Sequence, residues 1–117
     1  MPLTKDFKET VRERLQRDPK FRIELLREAI ERLVSGDVDT GKAVLRDYIN
    51  GTIGFQGLSD LTQTPAKSLM RMFGPNGNPQ ARNLFDVIAQ LQRAEGLHIE
   101  VSLKPMNMPV RDDEGIR

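Results

Sequence analysis

The sequence predicts a mainly α-helical chain that closes on a single β-strand. Three observations predict it. Helix-start chemistry, a short polar residue followed by proline, recurs at Asp18-Pro19, Thr64-Pro65 and Asn78-Pro79. Between these marks, apolar residues fall three and four apart, the spacing of one helix face. After Gly96 the spacing drops to two: Leu97, Ile99, Val101 and Leu103 alternate with His98, Glu100, Ser102 and Lys104, the pattern of a half-buried strand.

The elements follow in order. Over residues 4–16, Phe7, Val11 and Leu15 stand four apart on one helix face. Asp18 caps the next helix, whose broad apolar face is Phe21, Leu25, Leu26, Ala29, Ile30 and Leu33, and Ser35-Gly36 ends it. Its other side carries charges of both signs and reads as a solvated face. Asp37 caps a third helix, with Val44, Leu45, Tyr48 and Ile49 inward, that frays near Asn50-Gly51. Gly54 opens a short helix, Phe55 to Leu61, with Phe55, Leu58 and Leu61 inward. Thr64-Pro65 starts another that runs through Phe73 and buries Leu69, Met72 and Phe73. Asn78-Pro79 launches a longer helix to about Glu95, burying Leu84, Phe85, Val87, Ile88 and Leu91. Pro105 closes the strand, and Met106 to Arg117 reads as a tail. The expected organisation is a helical pair over residues 1–36, a main unit over 37–104 and a tail over 105–117.

Composition narrows the function. The chain has 117 residues, enough for one modest core, with 38% hydrophobic and 30% charged residues and no cysteine. Disulfides and thiolate metal sites are thereby excluded. The start lacks the apolar core of a signal peptide, and no run approaches the roughly 18 apolar residues of a membrane span. The expectation is a cytoplasmic protein without a membrane role. His98, the one histidine, lies in the strand pattern rather than beside acid or base partners. Gly74-Pro75-Asn76-Gly77 lacks the Gly-Lys-Ser/Thr that completes a phosphate loop. No catalytic residue, metal site or cofactor is expected.

Net charge is only +1, but its distribution is uneven. Leu61 to Phe85 contains no Asp or Glu, while Lys67, Arg71 and Arg82 fall inside. A surface facing phosphates would shed carboxylates and keep cations; chance composition of a loop-rich stretch is the competing reading. The two short helices in this window are separated by only Thr62-Gln63-Thr64. So short a link suits two helices that cross steeply, as in a helix-turn-helix, whose second helix enters the major groove. Ala66, Lys67, Ser68, Met70 and Arg71 would then face outward, and small or cationic residues there permit close approach to DNA. Asn76 and Asn78 are placed to donate to phosphate. A helix pair packed only for stability remains the alternative.

From about Phe7 to Lys104 the chain resembles the HigA-like antitoxins, or addiction-module antidote proteins, of the Xre (lambda-repressor-like) superfamily. The residues behind the resemblance are Asp18-Pro19-Lys20-Phe21, Leu45-Arg46-Asp47, the run Gly54 to Phe73 with its Ser68-Leu69-Met70-Arg71 core, Gly77-Asn78-Pro79, and Gly96 to Val101. It implies a five-helix DNA-binding domain, operator binding as a dimer, autorepression, and neutralisation of a small RelE/HigB-like toxin. Carried over by position, it implies DNA contacts from Gln56, Lys67, Ser68 and Arg71; with the turn, loop and acid-free residues Gln63, Thr64, Ala66, Asn76, Asn78 and Arg82 these make up the candidate DNA-contacting set. Two positions depart from the family pattern. The usual turn glycine is Gln63, which fits if its backbone avoids the left-handed region, and the usual Ser-Arg opening of the recognition helix is Pro65-Ala66.

Three functions therefore stand open: a repressor that is also an antitoxin, a free-standing regulator, and a helical module that binds only protein. The expected partners are double-stranded DNA with a palindromic operator, a small toxin held by the helical pair 4–34, and a second copy of the chain. A lone strand has unpaired backbone groups. Antiparallel pairing of Leu97, Ile99, Val101 and Leu103 with the same residues of a second protomer would satisfy them about a two-fold axis; pairing with a strand of the toxin, or with water at one edge, is the alternative.

Overall fold

Among the described residues the chain forms six helices: α1 (Lys5–Arg17), α2 (Pro19–Val34), α3 (Val38–Gly51), α4 (Gly54–Thr62), α5 (Ala66–Met72) and α6 (Ala81–Glu95). The computed structural model describes the backbone of residues 5–106 and the side chains from residue 9. The inward position expected of Phe7, and residues 107–117 of the expected tail, lie outside the described residues.

Two predicted caps form as expected. The Asp18 carboxylate accepts from the Phe21 N–H at 3.2 Å, with Pro19 as the first helical residue. That backbone bond is the main reason its carboxyl lies below the usual range. Asp37 accepts from the Thr40 N–H at 3.4 Å. At the other end of the chain, Gly96 stops α6 in the left-handed region at φ +68°, so that its N–H reaches Arg93 O and the Leu97 N–H reaches Gln92 O.

Two helix starts lie later than the sequence predicts. α5 is capped by Pro65 and α6 by Gln80, neither with a side-chain bond to the helix. Asn78-Pro79 therefore precedes α6 instead of opening it. The Gly77 carbonyl is tied to another helix, as described below, and Asn78, preceding a proline, is biased to extended backbone.

One core joins all six helices. Leu15, Leu26, Ala29, Leu45, Tyr48, Ile49, Phe55, Leu58, Leu69, Phe73, Val87, Ile88 and Leu91 are all buried in it. The helical pair of residues 1–36 thus shares its core with the rest of the chain. Arg22 of α2 reinforces the join, donating to Leu15 O at 2.8 Å and to Glu95 of α6 at 3.1 Å. The Tyr48 hydroxyl lies buried close to that pair without meeting a partner at hydrogen-bond geometry. Burial first, and then the Glu95 charge, push it well above the usual phenol range.

Two apolar residues expected inside are outside. Phe85 is 62% exposed and Leu61 43% exposed. Helix phase explains both. The inward face of α6 is Leu84, Val87, Ile88 and Leu91, and Phe85 lies about 100° around the helix from Leu84. In α4, Phe55 and Leu58 set the face and Leu61 falls beyond its edge.

The expected strand is absent among the described residues. Residues 97–105 follow α6 without ladder pairing, because a strand exists only against a second strand and no described segment of the chain pairs with this one. Leu97 and Ile99 still pack on the core, and the Ile99 N–H is taken by the Gln92 side chain at 2.7 Å. Val101 and Leu103, the next two residues of the same alternation, are exposed.

Candidate nucleic-acid interface

The acid-free stretch becomes one structural unit: the end of α4, a three-residue turn, α5, a loop over residues 73–80 and the start of α6. The turn closes through its own side chains. The Thr62 hydroxyl donates to Leu58 O, the Thr64 N–H to the Thr62 hydroxyl, and the Gln63 amide to Asp60 O at 3.0 Å. Gln63 stands at φ 63°, ψ 25°, so the condition under which it would fit the turn without strain is not met. Geometry requires that backbone here to end α4 and aim the chain at α5, with the Gln63 N–H closing on Ser59 O. A side chain in this conformation costs roughly 1–2 kcal/mol.

That strain makes a prediction. Replacing Gln63 with Gly removes the Cβ clash but loses the amide bond and loosens the unfolded chain. The relieved strain exceeds those two losses only slightly, so the net expected gain is about 0.5 kcal/mol or less, read as a higher urea midpoint with an unchanged slope. A midpoint that falls would show that the side-chain bond outweighs the strain.

α5 is seven residues long and held from beneath. Leu69 and Phe73 are buried, and the Phe73 ring meets Phe55 of α4 at 6.3 Å between centroids. These anchors fix which face points away. Lys67, Met70 and Arg71 are exposed, whereas Ala66 and Ser68 are half-buried. Lys67 and Arg71 are four residues apart and so lie on the same side of the helix.

Beyond α5 the chain folds back over the helix end. A Cβ at Gly77 would fall on the carbonyl oxygens of Arg71 and Met72, so only glycine permits this approach. The loop is held by α3. Lys42, only 5% exposed, donates to Gly77 O at 2.6 Å and to Gly74 O at 3.2 Å. Arg46, one turn further along α3, donates to Phe73 O at 3.1 Å. Cations at these carbonyls also complement the negative end of the α5 dipole. Asn76, Asn78 and Arg82 are exposed.

The expected DNA contacts thus fare unevenly. Lys67 and Arg71 share one exposed helix side, and Asn76, Asn78 and Arg82 are exposed on the segment that follows. Thr64 and Ser68 are half-buried, and Ala66 packs against the core. Gln56 is exposed, but its amide donates to Asp60 at 3.3 Å, and a carboxylate so close repels phosphate. The sequence reading missed Lys42 and Arg46. A signal was present: Lys42 is three and seven residues from Leu45 and Ile49, which places it on the apolar face of α3.

The ion pairs among the described residues all involve arginines of the first two helices. Arg14, Arg22, Arg27 and Arg32 of the first two helices each pair with a carboxylate. Lys42, Arg46, Lys67, Arg71 and Arg82 take part in no ion pair among the described residues. Arg12, Arg17 and Lys20 of the first two helices likewise take part in none, so what distinguishes Lys67, Arg71 and Arg82 is the absence of Asp and Glu from Leu61 to Phe85. Among the described residues, no helix is long and apolar enough to cross a membrane. Comparison with protein-family models, curated proteins and solved structures finds no match to this chain.

Proposed function

We propose that this protein is a non-catalytic, sequence-specific DNA-binding repressor. In this reading α4, the 63–65 turn and α5 form the helix-turn-helix of a five-helix lambda-repressor-like domain, and α5 enters the major groove. The observation that carries the reading is the outward side of α5. Lys67 and Arg71 stand there unpaired, within 25 residues free of carboxylate, Leu61 to Phe85. A helix pair kept only for stability has no reason to exclude acids from its solvent face, whereas a phosphate-facing surface does. Asn76, Asn78 and Arg82 supply the backbone contacts that set register.

The test is an electrophoretic shift with DNA from upstream of the protein's own gene. The expected result is a discrete complex that weakens steeply with salt, by about a thousandfold or more between roughly 50 and 200 mM if six or more phosphates are engaged. Equal binding to unrelated DNA, or no binding at low salt, contradicts the reading.

The repressor is further proposed to bind a palindromic operator as a homodimer and to act as antitoxin to a small RelE/HigB-like toxin. The toxin rests on the sequence resemblance alone. Its test is whether a small reading frame beside the gene inhibits growth without this protein and not with it. The dimer has structural support: Val101 is 82% and Leu103 92% exposed, an apolar cost that antiparallel pairing with a second copy would remove. Replacing Val101 with Pro removes a ladder donor. It is expected to give monomers in sedimentation, with DNA binding greatly weakened. An unaltered dimer excludes this segment as the interface.

A further inference from the structure

Lys42 is the one buried charged residue among those described, and it takes part in no ion pair among them. Its two partners are the backbone carbonyls of Gly74 and Gly77. Carbonyls satisfy the donors of an ammonium but do not neutralise it. Burying a cation in that state is costly, and a methionine of similar length would fill the same volume without the charge. Elsewhere in the molecule a half-buried cation is treated differently, since Arg22 faces the Glu95 carboxylate at 3.1 Å. The uncancelled charge of Lys42 lies directly under the loop that bears Asn76 and Asn78, inside the acid-free stretch.

We propose that Lys42 is a positioning residue for phosphate binding, and that a phosphate of the DNA backbone is its missing counter-ion. The proposal rests on the DNA-binding reading above. Lys42 acts in two ways. By holding Gly74 O and Gly77 O it fixes the loop over the end of α5, so that Asn76 and Asn78 are presented in one arrangement. By leaving its charge unpaired behind a thin layer of backbone, it makes the outer side of the loop attractive to an anion. Arg46 on Phe73 O extends the same clamp to the last turn of α5, coupling the position of the loop to that of the recognition helix.

The experiment compares wild type, Lys42→Met and Lys42→Arg on one duplex of upstream DNA, measuring affinity as a function of salt. A purely structural lysine would change stability and leave the salt slope alone. The expected result for Lys42→Met is roughly tenfold weaker binding with the log–log slope flatter by about one, the signature of one lost phosphate interaction. Lys42→Arg, which keeps the charge, is expected to restore the slope. Wild-type affinity and slope in a folded Lys42→Met protein overturn the proposal while leaving DNA binding intact. Failure of wild type to bind DNA overturns the functional reading itself, so the two failures are distinguishable. Should Lys42→Met not fold, the exposed double variant Asn76→Asp with Asn78→Asp decides. It is expected to keep the fold and to lose DNA affinity by at least about tenfold through repulsion at the loop; unchanged affinity overturns the proposal.

Discussion

Replacing Phe73 with Ala is expected to destabilise the protein by about 3–5 kcal/mol, the usual cost of removing a buried aromatic ring. Phe73 is 1% exposed and its ring packs against Phe55. It therefore joins α5 to α4 as well as to the common core. Domains of this size are stable by only about 5–15 kcal/mol, so the variant should lose about a fifth or more of its stability. Phe85→Ala is the control. Its ring is 62% exposed, and the expected change is about 0.5 kcal/mol or less. Urea unfolding of both variants checks the pair. A small loss at Phe73, or a large one at Phe85, contradicts the packing described.

The second large effect is on DNA binding with no effect on folding. Lys67 and Arg71 are exposed, pair with no carboxylate and lie on the same side of α5. Replacing both with Ala should leave the melting temperature nearly unchanged, because exposed substitutions shift stability by about 0.5 kcal/mol or less. Specific affinity should fall by about a hundredfold or more, since a single good base contact is worth roughly 1–3 kcal/mol. Where either residue contacts phosphate instead, the salt slope flattens by about one per contact. A folded double variant that binds as tightly as wild type removes α5 from the interface.

How far the sequence reveals this molecule depends on how local the chemistry is. The caps at Asp18 and Asp37 are legible because a carboxylate three residues before an N–H needs nothing else. The helix end at Gly96 is legible for the same reason. Phe85 and Leu61 are misread because apolar character gives no phase by itself; their neighbours decide which side of the helix is covered. The segment 97–103 shows a real alternation, but a ladder is a property of two strands, and the pairing cannot be inferred from one.

The candidate interface divides along the same line. Lys67, Arg71 and Arg82 are visible in the sequence because the absence of acids around them is a local fact. Gln63 is not, because its left-handed backbone is imposed by the two helices it joins. Lys42 and the 73–80 loop are hidden because their contact spans 32 and 35 residues. Gly77 is read in the sequence as part of the Gly74-Pro75-Asn76-Gly77 loop, and the reason for a glycine there, the close passage of the chain over the carbonyls of Arg71 and Met72, is not visible in it.

Backbone amide spectra of the isotopically labelled protein, recorded while upstream DNA is titrated in at moderate salt, test the central claim most directly. The expected result is a set of shifts concentrated on Thr64 to Arg71, on Asn76 and Asn78 and at the start of α6, with α1 and α2 largely unmoved. Shifts centred on the first two helices, or none at any DNA concentration, would contradict the account.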